Sequence, residues 1–385
     1  MKEKLVRITT VPISLEKLLD GQLAFMSQYY DVTAVSSEKD NLETYGKAEG
    51  VKTFYLPLTR KITPLTDIKC VIKLYRFLKK EKPLIVHTHT PKAGIVGMMA
   101  AAMAKVPLRM HTVAGLPLLE ARGLKRKILN TVEKWTYRYA THVYPNSNGL
   151  EKIILNENFC NESKLRVLGN GSSNGIDSTY FSRDHFSEDS IQAKKAEIGI
   201  SKDDIVFIFV GRIVADKGIN ELVAAFKQLV QEHSAVSLLL VGPFEDELDP
   251  VSDTSRKEIV SNNKIFTTGY LEDIRIYLAL SDVLAFPSYR EGFPNVVMQA
   301  GAMGLPCIVS DINGCNEIIV EGENGLIIAV KDLNELHSAM KKMVEDEILR
   351  NKLKLKARHH IISRYDRLNM WEIIRHEYGT QQSKL

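Results

Sequence analysis

Short apolar, β-branched runs alternate with segments of helical periodicity along most of the 385 residues. In the first half the runs are KLVRITT (4–10), DVTAVSS (31–37), TFYLPL (53–58), LIVHTHT (84–90), LRMHTVA (108–114) and HVYPNS (142–147). Leu65 to Lys80 and Lys92 to Lys105 lie between them and carry apolar positions at helical spacing. Alternation of this kind predicts a parallel, doubly wound α/β sheet. The stretch 181–204 is polar and acidic with little strand character, and is read as a linker. The pattern then restarts with DIVFIFVGR (204–212), continuously apolar as a strand buried on both faces must be. A helix over Ile219 to Glu232 follows, then the strands VSLLLVG (236–242) and KIFTTG (264–269), a helix through Ile276, the strand VLAFPS (283–288), a helix from Pro294, and the strand PCIVS (306–310). From Asp332 the chain reads as helical to its end. The expected architecture is two tandem Rossmann-like domains, residues 1–180 and 205–385, with terminal helices able to pack back on the first.

Composition narrows the class. With 44% apolar and 25% charged residues the chain is that of a globular protein too long for one ordinary core. The net charge of +4 is unevenly divided: residues 1–180 hold 27 Lys and Arg against 16 Asp and Glu, and residues 181–385 hold 24 against 31. The basic excess is spread out rather than drawn into a stripe with interleaved aromatics, which argues against nucleic acid. The N-terminal MKEKLVRITTVPI enters a strand without the apolar region of a signal peptide, and Ala93 to Ala104 is too short to span a bilayer, so a cytoplasmic location is expected. Cys70, Cys160, Cys307 and Cys315 have no paired spacing, suggesting reduced thiols rather than disulfides or zinc ligands. No G-x-G-x-x-G follows the first strand, where only Gly21 stands, and this weighs against a dehydrogenase.

Ligands of such sheets bind beyond the carboxyl ends of strands, so the loops there carry the chemistry. In FVGRIVADKG (209–218), Gly211, Arg212 and Lys217 sit between a strand and a helix. Arg offers a bidentate fork and Lys a compact charge, a combination suited to a diphosphate; the alternative is a surface pair of Arg212 with Asp216. In PSYREGFPNVVMQ (287–299), Pro294 suits a first helical turn. The amides of Asn295 and Val296 would then face an anion along the helix dipole. Glu291 cannot favour that anion, so it is expected to meet hydrogen-bond donors such as sugar hydroxyls. Gln299 follows eight positions later.

GRIVADKG (211–218), EGFPNVVMQAGAMGLPCIVSDINGCNEII (291–319) and LIVHTHTPKAGIVGMMAA (84–101), in their order, resemble the retaining family 4 glycosyltransferases of the GT-B fold over almost the whole chain. GSSNGID (171–177) resembles enzymes of bacterial capsule, O-antigen or exopolysaccharide assembly. The resemblance implies an N-terminal acceptor domain and a C-terminal nucleotide-sugar domain facing each other across a cleft. It implies a UDP-sugar ahead of a GDP-sugar as donor, a lipid-linked saccharide as acceptor, and transfer in which the departing phosphate serves as base, without a metal or other cofactor. Arg212 and Lys217 match the family's diphosphate-binding pair, and Glu291 the first acid of its Glu-x7-Glu motif. Gln299 departs from that motif, standing where a ribose-binding Glu is usual. Gly211, Gly292, Phe293, Asn295 and Val296 fall in the same donor loops, and Gly21 and Gln22 where the first loop approaches the donor phosphates. The family's Thr-x-His-Gly histidine is replaced by Ala114, leaving His111 as the candidate active-site histidine; the alternative is that His111 and His87 are core residues.

EARGLKRKILNTVEKWTYRYA (120–140) reads as a basic amphipathic helix. Leu124, Ile128, Val132, Trp135 and Tyr139 form its apolar stripe, with Arg122, Lys125, Arg126, Lys127, Lys134 and Arg138 around it. Either the stripe packs into the core, or the helix rests on an anionic membrane, here the inner face of the cytoplasmic membrane, as a peripheral contact near the acceptor. Two other functions compete with transfer: a GT-B sugar-nucleotide 2-epimerase, and a non-catalytic sugar-nucleotide-binding subunit.

Overall fold

A computed structural model describes residues 2–116, 118, 121–247 and 249–385. The chain forms two compact units, Met1–Gly175 with Arg367–Leu385, and Ile176–Asp366.

The first unit contains β1 (Lys4–Ile8), α1 (Pro12–Leu19), α2 (Gln22–Ser27), β2 (Asp31–Ser36), α3 (Lys39–Glu49), β3 (Lys52–Tyr55), α4 (Pro64–Glu81), β4 (Ile85–His89), α5 (Pro91–Met103), β5 (Leu108–Val113), α6 (Gly123–Tyr139), β6 (His142–Pro145) and α7 (Asn148–Asn156). Its parallel sheet runs β3-β2-β1-β4-β5-β6. Side chains alternate across the pleat. Val6 and Ile8 enter a core with Leu74, Val96 and Tyr137 of α4, α5 and α6. Leu5 enters the opposite core with Leu15, Leu19 and Leu23.

The second unit contains α8 (Glu188–Ile198), β7 (Ile205–Val210), α9 (Ile219–Glu232), β8 (Val236–Val241), α10 (Asp253–Ser261), β9 (Ile265–Gly269), α11 (Arg275–Ala279), β10 (Val283–Phe286), α12 (Asn295–Ala302), β11 (Cys307–Ser310), α13 (Cys315–Ile318), β12 (Gly325–Ile328), α14 (Leu333–Glu345) and α15 (Glu347–Tyr365). Its sheet runs β12-β11-β10-β7-β8-β9. The edge strand β12, paired through Cys307↔Gly325, had no counterpart in the sequence reading. The final helix, α16 (Arg367–Gln382), belongs to the first unit, where Met370, Ile374 and Tyr378 complete the second of its two cores.

The expected linker at 181–204 is instead part of the second unit. Ser187 caps α8 by accepting from the Ser190 N–H, and the acids that suggested a linker, Glu188 and Asp189, occupy the helix's first turn, where they complement its dipole. Ile191 and Ile200 are buried in that unit's core. The unit begins at Ile176, whose N–H donates to the Tyr365 carbonyl at 2.8 Å.

Candidate active site

In the second unit the strand order reverses at β7, with β8 on one side and β10 on the other. A crevice at the carboxyl ends of such a pair is where doubly wound sheets bind ligands. The loops after β7 and β10 meet there. Gly218, at the start of α9 with φ +72°, permits the approach: a Cβ on it would stand 2.1 Å from the Pro287 carbonyl oxygen. Tyr289 N–H donates to the Asp216 carbonyl at 2.9 Å and ties one loop to the other.

This approach brings Lys217 Nζ to 2.5 Å from Glu291 Oε1, with the two side chains 15% and 17% exposed. Ser288 Oγ donates to the same Oε1 at 3.0 Å. Among the described residues no hydrogen bond engages Glu291 Oε2, which leaves that lone-pair face for a donor outside the protein. Arg212 Nη1 lies 2.8 Å from Glu245 Oε2 on the loop after β8, and its side chain is 45% exposed. The Glu245 carboxylate stabilises the charged guanidinium. Asp216, the sequence candidate for Arg212, pairs with Arg290 at 2.6 Å instead. Asn313 Nδ2 donates to the carbonyls of Glu291 (2.6 Å) and Gly292 (2.9 Å), fixing the loop backbone. Phe293 is buried and packs edge-on against Tyr365, ring centroids 5.5 Å apart. Pro294 is the N-cap of α12, with an extended ψ of 111°, one position before the first turn where it was expected. Asn295 and Val296 therefore open the helix, and their N–H groups precede its internal ladder. Gln299 is half-buried on α12, and its amide makes no hydrogen bond among the described residues. The structure thus gathers Gly211, Arg212, Lys217, Glu291 and the start of α12 at one switch point. Its two cations, Arg212 and Lys217, are already paired with Glu245 and Glu291, and the neighbouring Arg290 with Asp216.

The first-unit candidates are placed differently. His111 lies inside β5 rather than in a loop, 2% exposed, with Nδ1 2.8 Å from Thr88 Oγ1 of β4. Burial pushes its pKa down to about 4, so the ring is neutral near pH 7. Its burial favours the core alternative over the active-site role read from the sequence. Gly21 donates its N–H to Glu49 Oε1 at 3.1 Å, and a Cβ on it would stand 2.8 Å from the Trp371 ring. Gln22 is fully buried: its Oε1 accepts from Arg7 Nη2 (2.6 Å), and its Nε2 donates to Ser173 O (3.1 Å) and Asn174 Oδ1 (2.8 Å). Its side-chain amide is engaged within the unit, so any approach of this loop to donor phosphates falls to its backbone.

Arg7 belongs to a buried network that the sequence reading missed. Its Nη1 donates to Tyr378 OH (2.9 Å), and Nη2 lies 2.9 Å from His89 Nε2. Arg can only donate, so that His89 nitrogen is the acceptor. Tyr378 OH lies 2.6 Å from His87 Nδ1, and His87 Nε2 lies 2.7 Å from Thr112 Oγ1. Burial, with the Arg7 charge nearby, holds His87 and His89 well below the ordinary histidine range. The available signal was an Arg in the middle of an apolar strand run and the H-T-H of LIVHTHT.

Residues 190–360 match the protein-family model "Glycosyl transferases group 1", and residues 23–171 match "Glycosyl transferase 4-like domain". The chain is 32% identical over 379 residues to the capsular polysaccharide biosynthesis glycosyltransferase CapM of Staphylococcus aureus, covering 98% of this chain and 97% of that protein. The chain belongs to this glycosyltransferase family. An Escherichia coli relative, a UDP-Gal:alpha-D-GlcNAc-diphosphoundecaprenol alpha-1,3-galactosyltransferase, is 29% identical over 380 residues, covering 95% of each chain. The crystal structure of Anabaena Alr3699/HepE with UDP and glucose shares the fold with a TM-score of 0.81 at 17% identity, over 98% of this chain and 100% of that one. The enzyme is therefore a GT-B glycosyltransferase.

The basic helix of this glycosyltransferase differs from a core-packing element. Of its apolar positions, Leu124, Ile128 and Trp135 are 74%, 42% and 49% exposed, while Glu133, Thr136 and Tyr137 face inward. The core-packing alternative is thus corrected for most of the stripe. Arg122, Lys125 and Lys127 are exposed. Arg126 is held by the Leu118 carbonyl (2.7 Å) and Glu157 Oε1 (2.6 Å). Glu120, where the sequence reading began the helix, lies outside the described residues. No helix among the described residues is long and apolar enough to cross a membrane.

Proposed function

We propose that this glycosyltransferase moves a sugar, with retention, from a UDP-sugar to a lipid-linked saccharide in surface polysaccharide assembly, working at an anionic membrane surface. The Lys217–Glu291 pair at the β7/β10 switch point carries the reading. Its arrangement leaves one carboxylate oxygen open beside Arg212 and the start of α12. The diphosphate lies over the first turn of α12, taking hydrogen bonds from Asn295 and Val296 and charge from Arg212, which exchanges Glu245 for phosphate. Each such charge-assisted bond is worth about 1.5–3 kcal/mol. Lys217 bridges Glu291 to the diphosphate. Glu291 Oε2 accepts from hydroxyls of the transferred sugar, and Gln299 meets the ribose.

The bond between the anomeric carbon and the diphosphate oxygen breaks, and its electron pair leaves with the diphosphate. The acceptor hydroxyl attacks the same face, and its proton passes to the departing phosphate oxygen. The protein's task is to hold the growing negative charge and align two hydroxyls. Arg212, Lys217 and the helix start stabilise that charge, so the reaction proceeds without a metal.

The names of the relatives support the substrates: the E. coli protein is named for UDP-Gal and a diphosphoundecaprenol-linked sugar. The exposed α6 face supports the membrane surface. So do Ile62, just before α4, and Leu65 and Ile68 in its first turns, exposed beside Arg60, Lys61 and Lys69.

UDP release measured with a panel of UDP-sugars and an undecaprenyl-diphosphate-linked saccharide tests the reading. Release that requires the acceptor and continues in excess EDTA is expected. Conversion of UDP-sugar without acceptor would indicate an epimerase, and loss of release in EDTA would overturn metal independence.

A further inference from the structure

We propose that the furrow between α5 and α6 binds the isoprenoid chain of an anionic lipid, one chain at a time. Only the choice of an isoprenoid rests on the lipid-linked acceptor proposed above. α5 and α6 are neighbours on one face of the first sheet. α5 presents Ile95, Met99 and Met103 at four-residue intervals, and α6 presents Ile128, Val132 and Trp135. Ile95, Met99, Ile128, Val132 and Trp135 line a groove of about 420 Å³, joined among the described residues by Lys127 and Thr131. Met103, one turn beyond Met99, is half exposed and extends the apolar row. From Ile95 to Met103 the row is about 12 Å long at 1.5 Å per residue.

The groove offers almost no hydrogen-bonding capacity. The Thr131 hydroxyl is already donated to the Lys127 carbonyl at 2.9 Å. A peptide laid in it would lose hydration of its backbone groups and gain no partners. An isoprenoid chain carries no groups that need them. Charge fixes the rest of the ligand: Lys127 borders the groove, Lys125 and Arg122 lie just before it, all three are exposed, and no acid occurs between residues 121 and 132. Parallel strands joined by crossover helices put the N-terminal ends of α5 and α6 at the carboxyl edge of the sheet. A lipid phosphate over Lys125 and Lys127 therefore lies toward that edge, with its chain running along the furrow away from it.

The test uses the full chain and farnesyl phosphate below its micelle concentration, followed by calorimetry and tryptophan fluorescence. The sequence has two tryptophans and Trp371 is buried, so Trp371→Phe assigns the signal to Trp135. Saturable binding is expected, at least tenfold tighter than inorganic phosphate, tightening from citronellyl to geranyl to farnesyl phosphate, with a blue shift from Trp135. Ile128→Glu, at an exposed position, should weaken it at least tenfold. Equal affinity for inorganic and farnesyl phosphate, no chain-length dependence, or an unaffected Ile128→Glu overturns the proposal. So does binding of phosphatidylglycerol vesicles without binding of monomeric farnesyl phosphate, or dimerisation through this face seen by light scattering. No nucleotide sugar is present, so failure here leaves the proposed transfer untouched, and failure of the transfer leaves this result readable.

Discussion

Lys217→Ala and Arg212→Ala remove the two site cations, and the structure predicts that they separate in stability. Lys217 and its partner are each about five-sixths buried, at 2.5 Å. Removing the ammonium leaves the Glu291 carboxylate, 17% exposed, with only the Ser288 hydroxyl among its protein partners. Breaking a fully buried pair costs about 3–5 kcal/mol and an exposed pair 0–1 kcal/mol. This pair falls between, at about 2 kcal/mol. For a unit of 150–250 residues, each kcal/mol shifts Tm by about 2–4 °C, so Lys217→Ala should lower melting of the second unit by roughly 4–8 °C. Arg212–Glu245 is close to half exposed, and Arg212→Ala should move melting by no more than about 2–4 °C. The double variant Lys217→Ala/Glu291→Gln leaves no bare charge. It should recover a coupling energy of about 1–2 kcal/mol relative to the sum of the single changes. UDP release should be nearly lost in both Lys217→Ala and Arg212→Ala. Calorimetric melting of wild type, Lys217→Ala, Glu291→Gln, the double variant and Arg212→Ala, alongside turnover, decides it. If Lys217→Ala melts with wild type while the double variant is worse than either single change, the pair is not coupled and the reasoning fails.

Gln299→Glu should change UDP affinity less than tenfold, or 1.4 kcal/mol, because an added charge near the diphosphate offsets a stronger ribose contact; isothermal titration with a larger change refutes that balance. Burial raises the Glu133 carboxyl to about 7, so its stabilising protonated form is lost as pH climbs from about 4.5 to 7, amounting to about 3 kcal/mol. Glu133→Gln should therefore stabilise the fold at pH 8 and hardly change it at pH 4, and equal shifts at both would contradict this. His111 runs the other way: its folded pKa of about 4 means that stability present above 6.5 is lost as pH falls from 6.5 toward 4. His111→Gln should flatten that acid limb in denaturant titrations, and an unchanged slope would show that the ring is not the group concerned. Co-sedimentation with phosphatidylglycerol vesicles should weaken with salt and with Lys125→Glu/Lys127→Glu; salt-insensitive binding would remove α6 from the interface.

The strands from β1 to β11 were legible, the central ones because strands covered on both faces are apolar along their length, the partly exposed edge strands β3 and β9 by their aromatic and β-branched residues. β12, the four residues GLII, was not read, although β3 is equally short and equally at an edge. The misplaced linker shows what such a pattern omits: the acids of Glu188 and Asp189 resemble a solvated spacer until a helix start gives them a dipole to complement. The burial of His111 and Gln22 was not legible for a related reason. A polar residue can be buried when a network satisfies it, and the partners Thr88, Arg7, Ser173 and Asn174 come from other elements. The α6 stripe was legible as a periodicity, but periodicity does not say whether the core or the surroundings cover it; inward-facing Glu133, Thr136 and Tyr137 answered that. At the active site, residue types suggested an anion and a sugar, yet not the pairing of each cation. Lys217 and Glu291 are 74 positions apart. Their contact depends on Gly218 allowing the start of α9 to reach Pro287. The motif around Lys217 and the motif around Glu291 are therefore two halves of one electrostatic unit, joined by a glycine that touches neither charge. A side chain at position 218 would have to push the β10 loop away, opening the ion pair before either of its members had been altered.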